Sequence, residues 1–311
     1  MRALTILLAL VLFSITKVML SAEVVRLEWK TKNGPPPPQL SSQAAHLLPA
    51  FRIGLATLNE SAVVQLCLSQ PALLGLSETE SAVLRPLMIE RYRLIAKSPV
   101  FSKAESLLAD CFQETQAVRG SANLYVPDGA TANTPVILFL HGYGGSFLWY
   151  QHWLAERFPD SIILCPAYGI SPSTISPEYV SESMAAASKQ LGFSLKPACL
   201  IGLSAGGFGA CRIYVSDAEN YSKMICMAAF PPEETLSHFK KDSAPLFVAG
   251  GAEFFVKSGQ LGRSVQSIRR NVASVEMKAI PGADHFFMLT HPEATSEILK
   301  KWVGTTAAKA R

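Results

Sequence analysis

The residue with the clearest capacity for chemistry is Ser204, at the centre of the pentapeptide GLSAG at residues 202–206. An apolar run at 198–201 precedes it and a helix-like stretch follows it, so the pattern predicts a strand, a sharp turn and a helix. Such a turn pushes a serine hydroxyl out of a sheet, and the flanking glycines leave room for the crowded backbone. An ordinary strand-to-helix turn is the alternative interpretation. We predict that Ser204 is a nucleophile.

A glycine-rich loop could supply the donors that acyl transfer needs. The apolar run at 136–140 ends in the sequence HGYGG at 141–145. When a nucleophile attacks a carbonyl group, the oxygen becomes an anion, and backbone N–H groups stabilise it well because they are held in place. We assign this role to the amides of Tyr143 and Ala205, with the amide of Gly144 in reserve.

A serine nucleophile needs a base, and His285 is the best-placed histidine. It lies in the sequence PGADHFF at 281–287, after the last predicted strand. Active groups of parallel sheets collect at the carboxyl ends of the strands, which favours this position. The other histidines fit less well, because they lie at a strand end or in helical and peripheral stretches: His46, His141, His152, His238 and His291. We interpret His141 as a residue that orders the glycine-rich loop.

The acid that would orient the base is assigned to Glu253. It follows the predicted strand at 245–250 in the sequence GGAE, so a carboxylate there could reach the far nitrogen of the histidine. Three alternatives stay open. Asp284 adjoins the histidine in sequence, although its side chain is expected to point elsewhere, and Glu233 and Glu234 follow the preceding strand. Glu253 could also be a solvated acid of a loop.

These residues need a scaffold, and short apolar runs alternate with helix-like stretches from residue 122 onward. Continuous apolar strands separated by helices predict an α/β fold, with a mostly parallel sheet and helices on both of its faces. The predicted strands cover residues 122–126, 135–140, 161–166, 198–203, 223–230, 245–250 and 274–280, and the predicted helices cover 149–157, 179–191, 206–217, 232–240, 259–270 and 293–303.

Residues 41–120 are predicted to form a helical N-terminal extension that precedes an α/β domain at 121–305. Apolar residues recur there at helical spacing, first at 84–95 and then at 104–111. Pro71 and Pro86 are expected to break or kink the helices. The extension could pack on the main domain or form a separate small module.

The first 40 residues carry two further signals. A basic start, an apolar run at 3–15 and the small residue Ala22 are typical of a secretory signal peptide at 1–22, so we expect the protein to be exported, either to a periplasm or out of the cell. An uncleaved membrane anchor is the alternative, although Lys17 interrupts the run and a span needs about 20 apolar residues. The proline-rich stretch at 23–40 is predicted to be a stiff linker.

The motifs at 141–145, 202–206, 250–253 and 284–285 resemble those of the α/β-hydrolase superfamily, in particular its compact esterase-like members. The resemblance covers about residues 120–305, and the chain order of serine, acid and histidine matches. It implies a serine hydrolase that acts on a small-molecule or lipid-like ester without a metal or cofactor, and the signal-like sequence at 1–22 predicts that this enzyme is exported. A peptidase or thioesterase on the same fold and a non-catalytic exported binding protein are the alternatives.

The sequence departs from this family in two places. The acid would be Glu253, where aspartate is commoner, and the stretch at 230–244 is too short for the inserted lid of larger relatives. The helical extension is therefore the better candidate to cover the site. Aromatic residues at 147–150 and 286–287 could line an acyl pocket, with core packing as the alternative.

Composition narrows the classes of function further. The chain has 311 residues, of which 49% are hydrophobic and 17% charged, and its formal net charge is +4. That mild balance, without a stripe of Lys and Arg, gives no reason to expect a nucleic-acid partner. None of the six cysteines has the spacing of a metal site. Cys67 and Cys111 are the first pair that we would test as a disulfide.

Overall fold

The computed structural model describes residues 21–40, 42–170 and 174–304, so most of the predicted signal peptide lies outside the described residues. An eight-stranded sheet with the order β1-β2-β4-β3-β5-β6-β7-β8 forms its centre. Strands β3 to β8 run parallel, whereas β2 is antiparallel to both of its neighbours, β1 and β4. The strands are β1 Glu23–Lys30, β2 Arg119–Val126, β3 Val136–Leu140, β4 Ile162–Ala167, β5 Ala198–Leu203, β6 Tyr221–Met227, β7 Pro245–Gly250 and β8 Glu276–Ile280.

Helices cover both faces of this sheet, as the sequence predicts. The three helices that precede β2 are α1 Ser42–Thr57, α2 Glu60–Leu68 and α3 Glu78–Lys97. The later ones are α4 Leu148–Arg157, α5 Pro177–Leu191, α6 Ala205–Ser216, α7 Phe254–Lys257, α8 Gln260–Arg269, α9 Phe287–Thr290 and α10 Pro292–Gly304. The predicted α/β fold class is confirmed.

Two apolar cores lie on opposite sides of the sheet because successive side chains of a strand point to opposite faces. Ile137 and Phe139 belong to one core, and Leu138 and Leu140 to the other. The first core also contains buried side chains of α2, α3, α4 and α10, and the second contains those of α5, α6 and α8. The helical extension therefore packs on the α/β domain and shares one of its cores.

The interpretation of residues 23–40 as a linker is wrong for β1, which occupies Glu23–Lys30 at the edge of the sheet. Its eight residues pair antiparallel with β2. The Trp29 ring lies over Gly120, where a Cβ atom would stand 2.2 Å from the ring, and it packs on Tyr179 at 5.2 Å between ring centroids. The pairing depends on β2, almost ninety residues later in the chain, so local composition does not indicate it.

Three smaller expectations about the helices also differ from the structure. Helix α3 continues through Pro86. Proline has no N–H group, so the carbonyl of Ala82 loses its helical hydrogen bond, but both residues lie on the exposed side of the helix, where water can replace the lost donor. The second helical pattern of the extension, at 104–111, forms only a short 3-10 segment, Leu108–Phe112. The predicted helix at 232–240 is a single 3-10 turn, Glu233–Thr235, that starts directly after Pro232.

The cysteines and the membrane prediction can be compared with the structure for the described residues. All six cysteines are free, so Cys67 and Cys111 do not form the suggested disulfide. Cys111 instead lies with its thiol against the glycine-rich loop. Within residues 21–40, 42–170 and 174–304, no helix has both the length and the apolar character that crossing a bilayer requires.

Candidate active site

Ser204 lies at the sharp turn between β5 and α6. Its backbone has φ 53° and ψ −115°, and residues other than glycine seldom adopt a positive φ. The turn is held because the Ser204 amide donates to the Met227 carbonyl at 2.7 Å and the Ser204 carbonyl accepts from the Gly207 amide at 2.8 Å. The strain therefore presents the serine hydroxyl at the carboxyl end of the sheet.

The two glycines that flank Ser204 are required by close backbone contacts. A Cβ atom on Gly202 would stand 2.1 Å from the Gly206 carbonyl oxygen. A Cβ atom on Gly206 would stand 2.2 Å from the carbonyl oxygen of Leu140, at the end of β3. The GLSAG pattern thus reflects the tight approach of the first turn of α6 to two strands.

His285 connects Ser204 to Glu253. Its Nε2 atom lies 2.9 Å from the Ser204 Oγ atom, and its Nδ1 atom lies 2.9 Å from the Glu253 Oε2 atom. The carboxylate is the acceptor of the second bond, so the proton resides on Nδ1 and Nε2 is free to accept the serine proton. The Glu253 side chain is 6% exposed and that of His285 is 41% exposed, so the acid is buried and the base borders the solvent.

The loops that carry the acid and the histidine are fastened to each other. The second carboxylate oxygen of Glu253, Oε1, accepts from the Gly250 amide at 2.9 Å. A Cβ atom on Gly250 would stand 2.3 Å from the Asp284 carbonyl oxygen, so glycine allows the histidine loop to approach the end of β7. The Ala252 amide also donates to the Ala283 carbonyl at 2.8 Å.

The other acids that were considered do not contact His285. Asp284 accepts from the Phe286 amide at 2.9 Å, so its side chain stabilises the local turn. Glu234 is exposed and pairs with Arg212 at 3.0 Å, and Glu233 is exposed on the same 3-10 turn. Among the described acids, the one that forms a hydrogen bond with the histidine is Glu253.

The amide of Ala205 directly follows Ser204 in the chain, and the amide of Tyr143 belongs to a loop that passes close to Ser204. Ala205 is the first residue of α6, and the loop that contains Tyr143 passes so close that a Cβ atom on Gly142 would stand 3.5 Å from the Ser204 Cβ atom. Neither amide donates to another group within the described part of the chain. The reserve amide, that of Gly144, is already engaged with the Ile170 carbonyl at 3.4 Å.

His141 is buried at the start of this loop and does not contact Ser204. Its ring stacks on Tyr168 with centroids 3.9 Å apart, and its Nδ1 atom lies 2.8 Å from the Gly142 carbonyl oxygen. Burial lowers the pKa of His141 to about 4, so the ring is neutral near pH 7. These contacts fix the backbone of the loop, which is the role that the sequence interpretation gave it.

The aromatic residues near the site divide into two groups. Trp149, Tyr150 and Phe287 are buried in the core, which is the alternative interpretation of these residues. Phe147 and Phe286 are only partly buried, and the Phe286 ring lies 5.6 Å from the His285 ring. Phe147 and Phe286 can therefore contact a bound molecule.

Two residues of the extension contact the segment that follows the glycine-rich loop, and neither was predicted to be a site residue. The Glu60 Oε1 atom accepts from the Leu148 amide at 2.8 Å, and the Cys111 Sγ atom accepts from the Ser146 amide at 3.3 Å. No local pattern marks the first contact, because its partners are 88 positions apart in the chain. Within the described ranges, no group of three or more His, Cys, Asp or Glu side chains is arranged to hold a metal ion.

Several solved hydrolase structures show a distant similarity to this chain. No protein-family model matches the chain, and no curated protein matches its sequence. A predicted CIB-like hydrolase from Thermoplasma acidophilum is 17% identical with a TM-score of 0.47, over 60% of this chain and 92% of that one. A dienelactone hydrolase from Anabaena variabilis is 20% identical with a TM-score of 0.45, over 60% and 91%. A naproxen esterase from Bacillus subtilis is 12% identical with a TM-score of 0.45, over 59% and 87%.

The described structure itself carries the features that define the fold. The sheet is mostly parallel and has helices on both faces, and a strained serine turn joins one of its central strands to a helix. The acid and the histidine follow the serine in the chain, at the ends of later strands. This chain therefore has the α/β-hydrolase fold.

Proposed function

We propose that this protein is a serine hydrolase that cleaves an acyl bond, and that its substrate is a carboxylic ester. The observation that carries the proposal is the pair of 2.9 Å contacts that join Ser204, His285 and the buried carboxylate of Glu253. A strained serine turn beside two unengaged amides supports it, because acyl transfer needs both a nucleophile and a site for the oxyanion.

In the proposed reaction, the Ser204 oxygen attacks the ester carbonyl while His285 Nε2 takes the hydroxyl proton. The carbonyl oxygen becomes an anion and accepts hydrogen bonds from the Tyr143 and Ala205 amides, where the amino end of α6 adds favourable charge. Glu253 stabilises the imidazolium ion. His285 then gives its proton to the departing alcohol, which leaves an acyl group on Ser204.

The second half of the proposed cycle uses the same groups. A water molecule attacks the acyl carbonyl while His285 accepts its proton, and the oxyanion again occupies the two amides. When this intermediate collapses, the carboxylic acid leaves and the proton returns to Ser204. Phe147 and Phe286 offer an apolar surface for the acyl group, which supports an ester of a hydrocarbon acid.

A fluorophosphonate probe tests the proposed nucleophile. We expect it to label the wild-type protein at Ser204 and to leave Ser204→Ala unlabelled. Ser176→Ala is a matched control, because Ser176 caps α5 and lies outside the site. Labelling that persists in Ser204→Ala would refute the assignment. No labelling of the folded wild type would favour a binding protein without turnover.

A substrate panel tests the proposed bond. Aryl esters of increasing acyl length would be compared with the matching aryl thioesters and anilides at equal concentrations. We expect the highest kcat/KM for the esters. Faster cleavage of every thioester or anilide than of its ester would refute the ester assignment and leave the serine mechanism standing.

Export is also a proposal, supported by the signal-like sequence at 1–22. Cleavage after Ala22 would leave β1 complete, because this strand begins at Glu23. Intact mass and N-terminal sequencing of the protein from an expressing culture would test it, with Glu23 expected as the first residue. A mature chain that starts at Met1 would contradict cleavage.

A further inference from the structure

The carboxylate of Glu60 lies at the junction of the helical extension with the glycine-rich loop. Glu60 is the first residue of α2 and is 8% exposed. Its Oε1 atom accepts from the Tyr92 hydroxyl at 2.6 Å and from the Leu148 amide at 2.8 Å, and its Oε2 atom accepts from the Ser106 hydroxyl. One buried side chain thus binds α3, the segment that follows α3, and the first residue of α4.

Helix α4 has no other cap of its own. Its N-cap residue, Phe147, makes no side-chain hydrogen bond to the helix, and the first turn contains no acidic residue. The first amides of a helix lack helical acceptors, and a negative charge near them is favourable. Glu60 therefore performs for α4 the task that a Ser or Asp at the N-cap usually performs, from a distant part of the chain.

The loop between β3 and α4 is held from two sides. On the side of the α/β domain, His141 stacks on Tyr168 and the Gly144 amide donates to Ile170. On the side of the extension, Cys111 accepts from the Ser146 amide at 3.3 Å and Glu60 accepts from the amide of the following helix.

Gly145 shows how closely the extension fits against this loop. Its φ is +123°, and a Cβ atom there would stand 2.8 Å from Leu108 Cδ1 and 3.3 Å from Cys111 Cβ. Tyr143 lies between His141 and Gly144, three residues before Ser146, and the residue is 62% exposed. Its backbone is therefore held by contacts of the neighbouring loop residues and not by packing of its own side chain.

We propose that Glu60 is a positioning residue for the oxyanion site: its carboxylate fixes the start of α4 and thereby holds the Tyr143 amide toward Ser204. This inference rests on the proposed function. We expect loss of the Glu60 contact to leave the Ser204–His285–Glu253 hydrogen bonds in place, since none of their partners lies in the extension. Stabilisation of the oxyanion is lost in both halves of the reaction, so kcat falls while KM changes little.

One test breaks the contact at its donor. Leu148→Pro deletes the donor to Glu60, and proline is tolerated at the first position of a helix. A proline ring carbon takes the place of the amide hydrogen and points at Glu60 Oε1, 2.8 Å from the nitrogen, so the hydrogen bond is lost and the carboxylate must move. The preceding residue, Phe147, has φ −89° and ψ 138°, which suits a residue before proline. Leu148→Ala is the matched control, because it also shortens the side chain but keeps the N–H group.

The second pair changes the acceptor. Glu60→Ala removes it, whereas Glu60→Gln keeps an oxygen for Tyr92 and Leu148 and places an amide nitrogen beside the Ser106 hydroxyl, which can accept. Ser81→Ala serves as the control for stability. It removes a buried hydrogen bond between α3 and the Leu68 carbonyl in the same extension without touching the loop.

Steady-state hydrolysis of a p-nitrophenyl ester gives kcat and KM, and urea unfolding gives stability. Loss of a single oxyanion donor lowers kcat by about 10²–10³, and displacement of the donor is expected to cost about tenfold or more. We expect kcat of Leu148→Pro to be about tenfold or more below that of Leu148→Ala, and kcat of Glu60→Ala to be lower than that of Glu60→Gln by the same factor. Within each pair, KM should differ by no more than about twofold. Ser81→Ala should keep the wild-type kcat despite lower stability.

The outcomes separate this inference from the proposed function. A folded wild-type protein that neither turns over esters nor reacts with the fluorophosphonate refutes the proposed function. An active wild type, with kcat within about twofold in each variant pair, overturns the role of Glu60. If Glu60→Ala fails to fold, the Leu148 pair decides, and if Leu148→Pro fails to fold, the Glu60 pair decides.

Discussion

Replacing Glu253 by glutamine would test how the acid sets the state of the histidine. The two carboxylate oxygens have fixed and different partners, since Oε1 accepts from the Gly250 amide and Oε2 accepts from His285 Nδ1, both at 2.9 Å. A glutamine can supply only one oxygen. If that oxygen keeps the Gly250 bond, the amide NH₂ group faces Nδ1, which must then be the unprotonated nitrogen. The proton moves to Nε2, and His285 cannot accept the proton of Ser204.

The expected loss of kcat follows from the competition between the two orientations of the glutamine amide. The reversed amide would restore the productive tautomer, but it would leave the buried Gly250 N–H group without an acceptor at a cost of about 1–3 kcal/mol. Roughly one molecule in ten to one in a hundred would then hold the productive form. Loss of the charge-assisted bond to the imidazolium ion costs about 1.5–3 kcal/mol more. The two costs add to about 2.5–6 kcal/mol, so we expect kcat to fall by about 10²–10⁴, and the upper end agrees with the loss known for an acid-to-amide change in a serine triad.

The assay is hydrolysis of p-nitrophenyl acetate at saturating substrate, with urea unfolding to confirm that the variant is folded. Asp284→Asn is the matched control, because it changes the neighbouring acid to an amide while an oxygen can still accept from the Phe286 amide. Its kcat should stay within about twofold of the wild type. A folded Glu253→Gln variant that keeps kcat within tenfold of the wild type would refute the reasoning.

Three further predictions concern the scaffold. Gly206→Ala should lower the free energy of unfolding by at least about 2 kcal/mol, because its Cβ would stand 2.2 Å from a carbonyl oxygen. Gly262→Ala, in open space on α8, should raise it by about 0.5–1 kcal/mol. Urea unfolding measures both changes. His141 has a pKa of about 4 in the folded protein against 6.5 when unfolded, so its contribution to the free energy of unfolding is present above pH 6.5 and is lost as the pH falls toward 4. Over this range, the free energy of unfolding of the wild type should fall by about 3 kcal/mol more than that of His141→Gln, and equal losses would contradict the prediction. Non-reducing peptide mapping should find Cys67 and Cys111 as free thiols, and a peptide pair linked through them would show that the structure is wrong there.

The strands of the α/β domain could be predicted from sequence because the central ones, β3, β4, β5 and β7, are continuous buried apolar runs and the others are mixed runs with apolar residues. Each predicted run overlaps the corresponding strand from β2 to β8, and the runs at 198–203 and 245–250 have the observed bounds. Edge strand β1 was missed since only Leu27 is fully buried there and the rest of the strand is half-buried or exposed. Its stability comes from pairing with β2 and from Trp29 packing, which are long-range contacts.

The sequence by itself determined Ser204 and His285 as the residues to examine, because a strained turn and a loop after a strand are local features with local residue requirements. It ranked Glu253 first among the acids, but only the tertiary structure brought this carboxylate to His285 and turned Asp284 and Glu234 toward other partners. The contact of Glu60 with the first residue of α4 was also decided by tertiary structure alone. A buried carboxylate takes its donors from whichever segments pack around it, and the spacing of residues along a chain does not record which segments those are.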